Sequence, residues 1–221
     1  MILGAVLVPS PLLLLPGYVG ASDPIAELRG AAQAAVAALV STGRGEAGGR
    51  ARSGPDEVVI VGGTDGYASS PEITAPEHSL SIRVGQLLLS EVGNDLPVTI
   101  QPIGYDAPAD QAIALGVQLA ARPGLTALLV VGDGSARHLP SGPGTLDERA
   151  APFEEVVVDA LREGDAATLR GIDTELADEL MVAGRAAWQV LAGALPDAAG
   201  AVHWTGAPFG VAYHVASWSP R

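Results

Sequence analysis

The chain alternates between short unbroken apolar runs and longer stretches whose apolar residues recur every three or four positions. Leu3 to Val8, "VVIVGG" (58–63), "PVTIQPI" (97–103) and "LTALLVVGDG" (125–134) are too short for helices and rich in β-branched residues. They predict buried strands. Between them lie helical patterns at 25–41, 79–92 (Leu80, Val84, Leu87, Leu88), 108–121, 147–163 and 173–194. Asp23 and Pro24 read as N-cap and first turn of the first helix. "GAVHWTG" and "GVAYHVASW", joined by "APF", predict a terminal antiparallel pair. A glycine- and charge-rich stretch, about 42–56, reads as a flexible linker.

Strand–helix alternation of this kind predicts a single α/β domain over 1–221. Its central sheet should be mostly parallel, with helices on both faces. In such sheets ligands gather beyond the carboxyl ends of the strands. Four loops therefore matter: 9–20, 63–72, 102–110 and 132–146.

Composition narrows the chemistry. Of 221 residues, 48% are hydrophobic and 17% charged, enough apolar material for a sizeable core. There is no cysteine, which removes disulfides, thiolate metal sites and a thiol nucleophile. All 12 basic residues are arginine, so a Walker lysine and a Schiff-base lysine are excluded. A net charge of −13 without a basic patch argues against nucleic-acid binding. No apolar stretch is long enough for a membrane span. "MILGAVLVPSPLLLLPGYVG" lacks the basic start of a signal peptide, so a cytoplasmic protein is expected.

"GDGSARH" (132–138) is neither G-x-S-x-G nor G-x-G-x-x-G, which leaves a turn in which Asp133 or Ser135 caps backbone amides. The four histidines, His78, His138, His203 and His214, show no metal-ligand spacing. His203 and His214 fall on the terminal strands and read as sheet or surface residues. His78 stands where a helix begins, as a structural or a pocket residue. Asp65, Asp106 and Asp133 each follow a strand. Two or three of them could hold a hard cation, or each could cap loop amides.

The order of loops resembles the class III extradiol ring-cleavage dioxygenases, catalytic B-subunit type, a superfamily that includes the Memo-like proteins. The likeness is nearest to its short actinobacterial members. "AVLVPSPLLLLP", "EVVIVGGTDGYASS", "PEHSLSIRVGQLLL", "LLVVGDGSARHLPSGPGTLDERAAPFEEVVVDAL" and "GAPFGVAYHVASW" carry it, in order, over most of the chain. The resemblance implies non-haem Fe(II) held by two histidines and a glutamate, with a further histidine as acid/base. Here those four positions hold Ser10, Gly66, Gly184 and Ala136, while a secondary pocket histidine corresponds to His78.

The expectation is a degenerate, non-catalytic member that binds a small molecule or partner protein. Its candidate pocket is Ser10, Asp65, Gly66, His78, Asp133, Ser135, Ala136 and His138. No cofactor is expected, and Fe(II) only if the family chemistry survives. Two alternatives stay open. One is a divalent-metal enzyme rebuilt around Asp65, His78 and Asp133. The other is an oligomeric subunit or scaffold, a homodimer included.

Overall fold

The computed structural model describes residues 1–18, 22–43, 45–47, 50–52, 54–64 and 79–221, with the backbone alone at 45–47 and 50–52. In chain order the described elements begin β1 (Ile2–Val8), α1 (Ala26–Ser41), β2 (Gly45–Ala47), β3 (Arg50–Arg52) and β4 (Glu57–Thr64). Then follow α2 (Leu80–Glu91), β5 (Val98–Gly104), α3 (Ala109–Ala120) and β6 (Thr126–Val131). The last third holds α4 (Ala150–Glu163), α5 (Ala166–Arg170), α6 (Thr174–Glu179), α7 (Arg185–Ala194), β7 (Ala198–Gly206) and β8 (Tyr213–Pro220).

Six strands make one sheet in the order β5-β4-β6-β1-β8-β7. The first four run parallel, and β8 and β7 add an antiparallel edge. The α/β class with a mostly parallel sheet is thus as the apolar pattern predicts. Strand side chains alternate between two cores, as the pleat requires. Ala5, Leu7, Val59, Val61, Leu128 and Val130 pack toward α3, α4 and α7. Val6, Val8, Val58, Ile60, Leu129 and Val131 pack toward α1 and α2. Strands buried on both faces need no polar alternation, which is why they read as continuous apolar runs.

Several boundaries differ from expectation, each for a local reason. Helix α1 starts at Ala26, with Ile25 rather than Asp23 at its cap position. Asp23 still takes the Ile25 amide at 3.0 Å and the Arg29 guanidinium at 2.7 Å. The linker at 42–56 contains an antiparallel pair, β2 with β3. The helix expected from 147 begins at Ala150, because Asp147 spends its carboxylate on Arg149. A short helix, α5, precedes Gly171 under the cap of Asp165.

The single helix expected over 173–194 is two helices. They are separated by Leu180–Gly184, with Met181 left-handed at φ 57°. Tertiary bonds replace the helical ladder there. Ser135 Oγ donates to the Leu180 carbonyl at 2.8 Å, and the Gly184 amide donates to the Asp133 carbonyl at 2.7 Å. The strand expected over 125–134 likewise ends at Val131. Beyond it the Gly134 amide donates to Ala212, and Ala212 donates back to Ser135, each at 2.8 Å.

Helices α3 and α7 meet backbone to backbone. A Cβ on Gly116 would lie 2.1 Å from the Val190 carbonyl oxygen, and one on Gly193 would lie 2.3 Å from that of Ile113. Rigid backbone, not a yielding side chain, sets the limit. Gly116→Ala should therefore destabilise by about 1–3 kcal/mol, although alanine is the better helix former by about 1 kcal/mol. Urea unfolding checks the sign: a stabilised variant would mean the helices can part without cost.

Candidate functional site

The carboxyl ends of β1 and β6 bring the first candidates together. Val8 stands beside Val131 in the parallel ladder, and the Gly132 amide donates to the Val8 carbonyl. Two residues further on, a side chain continues the pairing. The Ser10 amide donates to Asp133 Oδ1 at 2.6 Å, and Ser10 Oγ donates to Oδ2 at 3.2 Å. Asp133 is therefore not the cap of its own loop. It ties the loop after β1 to the loop after β6.

Asp133 is partly exposed by surface area, yet protein surrounds it densely enough to strip much of its hydration. Burial pushes its carboxyl up to about 6, against the two Ser10 hydrogen bonds and the charge of His214, which act downward. No described arginine or histidine pairs with it directly. Burial and the Asp133 charge together push the Tyr213 hydroxyl upward.

Ser135 is fully buried and structural: its hydroxyl bridges the Leu180 carbonyl and the Arg137 amide. Ala136 is buried, and its carbonyl takes the Gly144 amide. His138 is half-buried, its amide on Gly210 O, its Nε2 enclosed without a hydrogen-bond partner. Asp106 is exposed beyond β5, two strands away from β6. Asp65, Gly66 and His78 lie outside the described residues.

His214, expected as a sheet or surface residue, does lie on the sheet, in β8, but it is interior, 2% exposed. Strand β8 lies between β1 and β7, so His214 has neighbours on both sides and helices above it. Its Nε2 stands 2.6 Å from Glu154 Oε2, a buried carboxylate on α4. Its Nδ1 stands 2.9 Å from Thr205 Oγ1 on β7. Glu154 Oε1 accepts the Ser135 amide at 2.5 Å. The Trp188 ring lies against the imidazole, 6.1 Å between centroids. His203 is exposed and bonds Ser217 at 2.8 Å, in keeping with the surface reading.

Glycines let these parts approach. A Cβ on Gly134 would stand 2.5 Å from Glu154 Oε1, and one on Gly132 would stand 2.6 Å from the Gly184 Cα. A Cβ on Gly184 would meet the Trp188 indole at 2.6 Å.

A two-histidine, one-carboxylate iron centre needs three such ligands converging around open positions. Among the described residues no group of three or more His, Asp or Glu side chains stands close enough to hold a metal ion. The Ser10 hydroxyl is spent on Asp133, and Trp188 fills the space beside Gly184. The described residues do not fit that centre. An open apolar groove of about 640 Å³ lies on the opposite side, between α1 and the β7–β8 edge. It is lined mostly by small apolar residues, with the His203–Ser217 pair at its rim, and shares no lining residue with the Asp133 and Glu154 clusters. No described helix is long and apolar enough to cross a membrane.

Glu154 and His214 carry signals in the sequence. Ala150, Val157 and Leu161 are buried at helical spacing, and Glu154 falls on the same stripe. A carboxylate on an apolar stripe must find a buried partner. His214 sits inside "AYHVA", in the buried first half of its strand.

The raised Asp133 carboxyl makes stability depend on pH. Between 3.8 and about 6 the folded chain holds a proton that the unfolded chain has lost. Asp133's contribution therefore falls as pH rises through that window and is level above it. Asp133→Asn removes the charge while its Oδ1 can accept the Ser10 amide and its Nδ2 can donate to Ser10 Oγ. It should be more stable than the native chain at pH 7, by at most about 3 kcal/mol, and the gap should close near pH 4. Paired urea midpoints at the two pH values test this, and a variant less stable at both would refute it.

No family model matches the chain, and no curated protein matches it. The crystal structure of the uncharacterized protein JW3007 from Escherichia coli K12 is similar over 98% of this chain and 99% of its own, with a TM-score of 0.52. Sequence identity is 14%, so the likeness shows the fold alone.

Proposed function

We propose that the chain is a degenerate extradiol-dioxygenase-like protein. It has lost ring cleavage and binds a small molecule at the carboxyl edge of the sheet. The observation that carries the reading is the Ser10–Asp133 bond. A residue at the place of a metal-binding histidine has its polar groups committed to a neighbouring loop. Gly184 and Ala136 offer no side-chain donor, and Trp188 fills the space where a glutamate would project.

The remaining chemistry is that of recognition. Asp133 presents a partly exposed carboxylate without a cationic partner among the described residues. The surrounding loops expose Leu12, Leu139, Met181 and Phe209. A ligand with an amine or other strong donor at its head and an apolar body suits that combination.

Two outcomes are expected. Catechol and protocatechuate supplied with Fe(II) and O₂ should give no yellow ring-fission product above the protein-free control. Alkylamines such as hexylamine should raise Tm for the native chain, and by much less for Asp133→Asn. Measurable ring cleavage would overturn the loss of activity. An equal shift in both proteins would overturn the assigned site.

A further inference from the structure

The buried pair Glu154–His214 meets an exposed residue at Thr205. Its hydroxyl stands 2.9 Å from His214 Nδ1, and Thr205 itself is exposed. The register explains the meeting: Thr205 and His214 face each other directly across the β7–β8 ladder. On the far side of the ring, Glu154 Oε2 stands 2.6 Å from Nε2. Glu154 is itself held by the Ser135 amide through Oε1.

In the neutral ring, a carboxylate at Nε2 holds the ring proton there and leaves Nδ1 to accept from the hydroxyl. Acid orients base, and base faces an exposed hydroxyl. That is the arrangement by which a side-chain hydroxyl becomes a nucleophile, recognised by geometry rather than by order in the chain. Here the acid lies at Nε2 and the hydroxyl at Nδ1. Strand β7 is also a sheet edge, so alternate amides along it face solvent beside Thr205. Such amides can donate to an oxyanion.

We propose that Thr205 is a nucleophilic hydroxyl that accepts an acyl group from an activated ester or thioester. Thr205 Oγ1 bonds to the carbonyl carbon, and its proton passes to His214 Nδ1. The bond from carbon to the leaving oxygen or sulfur then breaks, and His214 returns the proton to the leaving group. The products are acyl-Thr205 and the free alcohol or thiol. Water entering by the same route would release the acid and restore the hydroxyl. Glu154 is a positioning residue that holds the ring.

The test uses the full chain with p-nitrophenyl acetate, followed by peptide mass spectrometry. A first burst of one equivalent of p-nitrophenolate per chain should be released, with an acetyl group on Thr205, and any slower release after it reports hydrolysis of that ester. Thr205→Val, which keeps the shape of an exposed side chain, should lose that label at least tenfold. Thr205→Ser should retain or exceed it, since a primary hydroxyl is less hindered. Glu154→Ala should remove the label, and Glu154→Asp should restore part of it, with circular dichroism confirming that both are folded. Because Thr205 is exposed, its variants answer the question even if those at Glu154 unfold. A plain cross-strand hydrogen bond predicts no label on Thr205. An absent label, a label elsewhere, or equal labelling of Thr205→Val would overturn the proposal.

Discussion

The buried carboxylate of Glu154 is the constraint on which this end of the molecule depends. It accepts the Ser135 amide with one oxygen and meets His214 with the other. Helix α4, the loop after β6 and strand β8 therefore meet at one buried carboxyl group. Removing one partner from such a pair costs about 3–5 kcal/mol, because the other is left buried and unpaired. Gly134 follows from the same contact, since a side chain there would collide with the carboxylate. So does the peeling of residues 132–135 away from the β6 ladder toward Ala212.

Much of the fold was legible because burial writes directly into the apolar pattern. The strands β1, β4 and β6 are buried on both faces and appear as unbroken runs. The antiparallel pair β7–β8 was legible from two apolar runs around a short turn segment. The break between α6 and α7 was not. Residues 180–184 include Met181, Val182 and Ala183, ordinary helix or core residues, and the helix stops because Asp133 and Ser135 bond into the gap. A bond between residues 45 or more positions apart leaves no local signature. Asp147 and Asp165 show the opposite case, where a local carboxylate sets the start of a helix.

The candidate site divides along the same line. Ser10 and Asp133 were found because each follows a strand, and parallel neighbours put such positions together. Ser135 and Ala136 were found on the same loop, but both are buried in its frame. His214 was placed on a strand, but its burial was not legible, because a lone histidine on a strand is ambiguous until the strand has a place in the sheet. As an outer strand it would have been surface. As the fifth of six, under α4 and α7, it is interior. Glu154 needed the helix stripe to be read for what interrupts it as well as for what repeats.

The two polar clusters differ in what they contribute to folding. Glu154 and His214 satisfy each other and brace three elements. Asp133 is different: burial outweighs both Ser10 hydrogen bonds, so its charge opposes the fold at neutral pH. An amide in its place could bond both Ser10 groups, donating to the hydroxyl instead of accepting from it, without that cost. An uncompensated carboxylate at the carboxyl edge, partly open to solvent, is stabilised by whatever brings a positive charge to it. The His214 ring supplies some of that from a distance, which couples the two clusters through space. A cationic head group arriving at Asp133 would supply the rest.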